Sequence, residues 1–310
     1  MILNTGSRTD IPAYFGDWFY NRIKEGYVLT RNPFNLNQVT KYKLSPEVVD
    51  AIVFCTKNPE PMIDRIGELS AYDLFWFVTI TPYGKDIEPY VPPKEKVMDS
   101  FIRLSRIVGP GKMSWRYDPI FIDDKYTVDY HIDAFREMSE KLKGSTNQVV
   151  VSFIDLYEKT KKNFKGIKPV TRADQEKLID AFSAIAKECD MQIHLCAERT
   201  ELVRENVDAS GCLSQAVLEK AIGMHLKVPK GPAPRPECSC LLGADIGAYN
   251  TCGHGCLYCY ANYDRRDVEY NIKHHDPESP LLVGGILSDD VIREAKQESW
   301  KDNQMTIFDL

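Results

Sequence analysis

Five of the nine cysteines fall within Cys238–Cys259. The last three follow a C-x3-C-x2-C spacing in the run Cys252-Gly253-His254-Gly255-Cys256-Leu257-Tyr258-Cys259-Tyr260. Thiolates are soft ligands that suit iron–sulfur clusters and zinc. A cubane has four irons, so three local thiolates leave one iron open to a cofactor or substrate. Gly253 and Gly255 let the backbone wrap closely around such a group. A structural zinc site is the competing reading, but zinc sites usually show paired C-x2-C or C-x4-C knuckles plus two further ligands. The triad is not such a pair, although Cys238, Cys240 or His254 can complete one. Cys238-Ser239-Cys240 places two thiolates one residue apart, and Cys212 and Cys196 upstream can supply the remaining ligands of an auxiliary iron–sulfur cluster or zinc. All four can equally be buried small hydrophobes. Cys55 and Cys189 read as core, and His194 as a hydrogen-bonded core histidine.

A second set of chemistry-bearing residues follows short apolar runs. The runs are Ile2–Asn4, Ala51–Phe54, Leu74–Ile80, Lys112–Trp115, Gln148–Phe153 and Met191–Leu195. Each is short and rich in β-branched or aromatic residues, as buried strands are. After them come Arg8 and Asp10, Lys57, Thr81, Arg116 and Asp118, Asp155 and Glu198. Helical patterns lie between. Pro46–Asp50 opens one, Lys94–Ile107 is another, and Val128–Leu142 and Thr171–Glu188 are longer, the last capped by Thr171. Strand alternating with helix predicts an α/β fold with a parallel sheet. Polar groups at successive strand ends share one mouth if the sheet closes, so the expectation is a single (β/α) barrel of the TIM type over residues 1–310. Arg8, Asp10, Lys57, Arg116, Asp118 and Glu198 are then the candidate catalytic residues, and buried Arg116 should find a carboxylate, with Asp118 one candidate. Turn chemistry and loop solvation explain any one of them as well.

Hydrophobic residues make up 43% and charged residues 27%, an ordinary globular balance, so no disordered or fibrous class is needed. The net charge of −6 provides no global basic field for nucleic acid. The N-terminus lacks a signal-peptide pattern and no apolar run approaches a membrane span, so a cytoplasmic location is expected.

The cysteine loop resembles the signature of the radical S-adenosylmethionine superfamily, with an aromatic before the third cysteine. Its Tyr258-Cys259-Tyr260 ending is similar to the loop of spore photoproduct lyase. A wider pattern resembles an uncharacterised microbial family, the domain of unknown function numbered eighteen-forty-eight. It comprises Ser7-Arg8-Thr9-Asp10-Ile11-Pro12, Thr56-Lys57-Asn58-Pro59, Asp245-Ile246-Gly247, the cysteine loop and Tyr260-Ala261-Asn262. The superfamily resemblance implies that Cys252, Cys256 and Cys259 hold a [4Fe–4S] cluster and that S-adenosylmethionine chelates the fourth iron. It also implies that an electron from a donor such as a flavodoxin or ferredoxin cleaves the sulfonium bond, and that the 5′-deoxyadenosyl radical abstracts hydrogen from a substrate. The cluster loop in that superfamily follows the first strand, whereas here it lies near the C-terminus. A circular permutation accounts for this, with Leu242–Tyr249 the strand feeding the loop and Ile2–Asn4 the next strand around. No clear Gly-Gly-Glu segment is present for the methionine amino group. Thr5, Gly6 and Ser7 stand where the permuted order places it, and Gly284-Gly285 is a weaker candidate. Tyr258, Tyr260 and Asn262 complete the expected cofactor contacts.

The substrate is open among metabolites, peptides and nucleic acids. Two other functions fit the sequence: a metal-binding protein whose cysteines only staple the C-terminal segment, and a barrel hydrolase or lyase that uses the mouth carboxylates without radicals. Gln304-Met305-Thr306-Ile307-Phe308 resembles the peptide by which bacterial DNA polymerases and repair proteins dock on the sliding clamp, and these residues can equally fold back on the barrel.

Overall fold

The computed structural model describes residues 1–156, 158–229, 238, 240–241 and 243–302. The Gln304–Phe308 segment therefore lies outside the described residues. The chain begins with β1 (Ile2–Asn4), α1 (Ile11–Tyr14), α2 (Gly16–Glu25), β2 (Tyr27–Arg31), β3 (Gln38–Lys43) and β4 (Ala51–Thr56). Next come α3 (Glu60–Ile63), β5 (Leu74–Thr79), α4 (Lys94–Val108), β6 (Met113–Ile120), α5 (Val128–Leu142) and β7 (Gln148–Phe153). After α6 (Glu158–Asn163) come α7 (Arg172–Glu188), β8 (Gln192–Leu195), β9 (Val207–Asp208) and α8 (Gln215–Ile222). The chain ends with β10 (Ala244–Asp245), α9 (Arg265–Lys273) and β11 (Val291–Glu294).

Eight strands form one sheet in the order β10-β1-β4-β5-β6-β7-β8-β9. Every neighbouring pair in it is parallel. The strand that leads into the cysteine loop thus lies beside the first strand of the chain, with Leu3 opposite Ala244 and Asn4 opposite Asp245. β9 and β10 are the sheet's two edges, and no ladder joins them among the described residues. A smaller sheet, β11-β3-β2, combines an antiparallel hairpin with a parallel third strand.

Period-two alternation explains the packing. On one face Leu3, Ile52, Phe54, Trp76, Val78, Trp115, Val149, Val151 and Ile193 bury against the helices, where Phe54 stacks on Trp76 at 4.0 Å between ring centroids. On the other face Ile2, Ala51, Val53, Phe75, Phe77 and Val150 pack with Leu213, Leu218 and four cysteines. With both faces covered, the strands read as continuous apolar runs.

The six expected strands and three of the expected helices are present. Thr171 caps α7 by accepting the Asp174 amide at 3.2 Å. Pro46–Asp50 is the exception: residues 46–48 form a turn. The Asp50 amide is already committed to the Met1 carbonyl at 2.8 Å, and β4 starts one residue later, which leaves no length for a helix. Of Leu242–Tyr249 only Ala244–Asp245 is strand, and Leu242 lies outside the described residues. No described helix is long and apolar enough to cross a membrane.

Candidate functional site

The cysteine loop sits over the C-terminal ends of β10, β1 and β4, and local bonds set its shape. Thr251 is buried, and its hydroxyl bonds the Ala248 carbonyl at 2.7 Å and the Thr9 hydroxyl at 2.6 Å. The Asn262 amide donates to the Cys252 carbonyl at 2.7 Å, and the Ala261 amide points at Cys259 Sγ at 3.4 Å. Gly255 has φ +69°, a left-handed turn that favours glycine. A Cβ on Gly253 would meet the Tyr14 ring at 2.8 Å, so only glycine fits that approach.

Asp10 fastens this loop to the sheet. One carboxylate oxygen caps α1 by accepting the Ala13 amide at 3.1 Å. The other accepts the Lys57 amide and the His254 Nε2 contact, each at 2.8 Å. His254 Nδ1 is 3.0 Å from the Tyr14 hydroxyl, so both ring nitrogens are engaged. Burial, then the nearby Cys252 and Asp10, push the Tyr14 hydroxyl well above its ordinary value. None of the nine cysteines is in a disulfide. Burial raises the Cys252 thiol, reinforced by Asp10, Cys259 and Cys256. Burial also pushes the Cys256 thiol up to about 12, against the pull of the Lys57 ammonium.

Beside Cys256 lies a buried charge cluster. Glu88, 1% exposed, takes Lys57 Nζ at 2.8 Å and the Thr81 hydroxyl at 2.6 Å, and also bonds Lys94 Nζ and the Tyr258 hydroxyl. Burial opposes ionisation of Glu88, yet Lys57 and Lys94 outweigh it and hold the carboxyl at about 2. Two ammoniums on one carboxylate leave a net positive charge next to the cysteine loop. Lys57 also lies over the Tyr258 ring, 5.6 Å from its centroid.

The other expected residues spread around the same strand ends. Arg8 pairs with Asp245 at 2.5 Å and lies 5.8 Å from the Tyr249 ring centroid. Arg116 pairs with Asp118 at 2.5 Å, and the Ser152 hydroxyl is 3.4 Å from the same carboxylate. Glu198 accepts the Phe153 amide at 2.7 Å. Asp10 and Lys57 thus join the cysteine loop directly, while Arg116 and Asp118 lie toward Cys196 and Cys212 and Glu198 braces β7. The Thr5 hydroxyl is buried, 3.4 Å from the Val53 carbonyl, Gly6 lies against Cys55, and Ser7 accepts from the Asn4 amide at 2.8 Å. The Tyr260 hydroxyl donates to the Ser7 carbonyl at 2.5 Å. Buried His194 has Nδ1 3.4 Å from the Asp208 carboxylate. A cleft lined by Ile102, Arg106, Lys141 and Ser145 lies at the opposite end of the sheet and holds none of these groups.

Two observations bear on what the loop can hold. Among the described residues, no group of three or more His, Cys, Asp or Glu is arranged for a metal ion. Asn262 Oδ1 is buried without a hydrogen-bond partner beside the loop, and an unpaired buried acceptor costs about 1–3 kcal/mol.

A family model described as "Domain of unknown function (DUF1848)" matches residues 2–261. The chain belongs to this family. The DUF1848 match runs from β1 to the residue after Tyr260, so it takes in both the strand-end residues and the cysteine loop and ends before α9 and β11. No curated protein and no solved structure matches the chain.

Glu88, Lys94 and the Asp10–His254–Tyr14 chain escaped the sequence reading. Glu88 lies in the polar, proline-rich stretch before α4, and only its partners from three other segments reveal it.

Proposed function

We propose that this DUF1848 protein is a radical S-adenosylmethionine enzyme built on a circularly permuted (β/α) barrel. The observation that carries the reading is the loop itself. Three reduced thiols in C-x3-C-x2-C spacing sit on a tightly bonded turn at the C-terminal edge of a parallel sheet, beside an unpartnered buried Asn262 oxygen. Such edges are where α/β folds place their sites. Cys252, Cys256 and Cys259 would hold a [4Fe–4S] cluster. That cluster, with S-adenosylmethionine, supplies one-electron cleavage of a sulfonium bond and hydrogen abstraction from a substrate.

The chain's own residues have definite parts in this reading. The three thiols bind as thiolates, and the Lys57–Glu88–Lys94 cluster supplies positive charge that favours the thiolate of Cys256. Asp10 and His254 hold the loop on α1 and β4. Tyr83, Ile87, Phe121 and Ile154 pack with Leu257 and Tyr258 and keep water from one flank. A zinc staple on the same triad is less favoured, because His254, its nearest candidate for a fourth ligand, has both ring nitrogens committed. Closure of the sheet is supported by the Leu241 amide, which donates to the Leu213 carbonyl at 2.8 Å and so links the stretch before β10 to that after β9. The partner is a one-electron donor of the flavodoxin or ferredoxin kind.

Anaerobic reconstitution with iron and sulfide tests the reading. A brown protein with broad visible absorption and four irons per chain at the triad supports it. A colourless protein that takes up no sulfide refutes it.

A further inference from the structure

A second thiol group stands apart from the cysteine loop. Cys196 follows β8, Cys212 lies between β9 and α8, and Cys238 and Cys240 precede β10. Cys212 Sγ is 3.7 Å from Cys196 Sγ and 3.4 Å from Cys240 Sγ. Cys238 is buried in the same cluster, and none of the four is in a disulfide. Apolar packing is the ordinary account of buried cysteines, but Arg116 argues against it. Its Nη1 points at Cys212 Sγ at 3.5 Å and its Nη2 at Cys196 Sγ at 3.7 Å. Neutral thiols are weak acceptors, a poor environment for two guanidinium donors, whereas metal-bound thiolates are strong ones.

We infer that Cys196, Cys212, Cys238 and Cys240 bind a single zinc ion, with Arg116 donating hydrogen bonds to its sulfurs. A tetrahedral zinc with Zn–S bonds of about 2.3 Å places its sulfurs about 3.8 Å apart. The two observed edges, 3.7 and 3.4 Å, are near that length, and a cubane would spread its thiolates farther. The described thiols are not a finished cage, so the ion would lengthen the Cys212–Cys240 edge by a few tenths of an ångström and draw Cys238 in. Each thiol releases its proton to solvent on binding. The four zinc thiolates then carry two net negative charges, and Arg116, whose own charge is paired with Asp118, donates hydrogen bonds to two of the sulfurs. The ion has a structural role. β9 and β10 are the edges of the sheet, and ligands after β9 and before β10 would brace that seam by coordination where no ladder does among the described residues.

The inference does not depend on the radical reading, and its test removes that site. The full chain carrying Cys252→Ala, Cys256→Ala and Cys259→Ala is reduced, stripped of metal, checked for folding by circular dichroism and titrated with Co2+. The expected result is one cobalt per chain, tetrahedral visible bands, strong sulfur-to-cobalt charge-transfer absorption, and displacement by Zn2+. Adding Cys212→Ser should abolish uptake, and adding Cys238→Ser should lower the charge-transfer intensity by about a quarter, for one thiolate lost of four. No cobalt uptake by the folded triple variant, or uptake indifferent to Cys212→Ser, would overturn the site. If Cys212→Ser does not fold, the triple variant decides alone, because all four proposed ligands are intact in it. As a second readout, the wild-type chain as isolated should contain zinc at one per chain, and zinc-free protein would count against the site.

Discussion

The two cysteine groups occupy neighbouring parts of one sheet yet differ in nearly every respect. Cys252, Cys256 and Cys259 come from one short glycine-bearing loop, are half-buried, and have Lys57 beside Cys256. Cys196, Cys212, Cys238 and Cys240 come from three distant segments and are buried, and Arg116 points at Cys212 and Cys196. The second group packs with Ile2, Phe77, Leu213 and Leu218.

The largest expected effect comes from breaking the first group alone. Cys252→Ala, Cys256→Ala or Cys259→Ala should each remove the iron and sulfide while leaving the zinc of the second group in place. Iron, sulfide and zinc analysis of the purified variants checks this, and loss of both metals would merge the two groups into one. Glu88→Gln follows, since it removes the buried carboxylate that pairs two half-buried ammoniums. Removing one partner of a buried ion pair costs about 3–5 kcal/mol, to be read by denaturant unfolding of the metal-free chain. The same carboxyl gives a pH signature. Its folded value of about 2 lies below the ordinary 4.5, so the stability it contributes is present above pH 4.5 and lost as pH falls toward 2. Wild type should weaken across that window, and Glu88→Gln should lack this component.

Asp10→Asn should act more mildly, by about 1.5–3 kcal/mol, because charge-assisted bonds to the Lys57 amide and His254 weaken while the shape remains. Its distinguishing effect is a faster loss of iron from the loop, with zinc unchanged. The smallest effect sharpens the contrast from outside both groups. Cys189 is buried at the end of α7, and Cys189→Ser should leave both metal contents at wild-type values.

What could be read from the sequence follows the range of the interactions. The strands of the large sheet were legible from β1 to β8 because both faces are buried and the apolar runs are unbroken. The cysteine triad was legible because its three cysteines lie within one loop. β9 and β10 are two residues each, too short for any periodicity to show. β11 is exposed along its whole length and so has no burial pattern to betray it. Pro46–Asp50 looked helical because local propensity cannot see Met1, whose ammonium and carbonyl claim Asp50. The Glu88 cluster and the thiol contacts of Arg116 join residues from several segments, and no spacing rule encodes such meetings. Asp10 was legible as a candidate catalytic residue, but its three contacts to the Ala13 amide, the Lys57 amide and His254, which fasten the loop, were not.

The central claim is radical chemistry at Cys252, Cys256 and Cys259, and the release of 5′-deoxyadenosine tests it most directly. The reconstituted chain is reduced anaerobically with dithionite, given S-adenosylmethionine, and followed by chromatography. The account predicts that 5′-deoxyadenosine and methionine accumulate in wild type and are absent in the Cys256→Ala protein. A wild-type chain that carries its full iron and sulfide but leaves S-adenosylmethionine intact after reduction would contradict it.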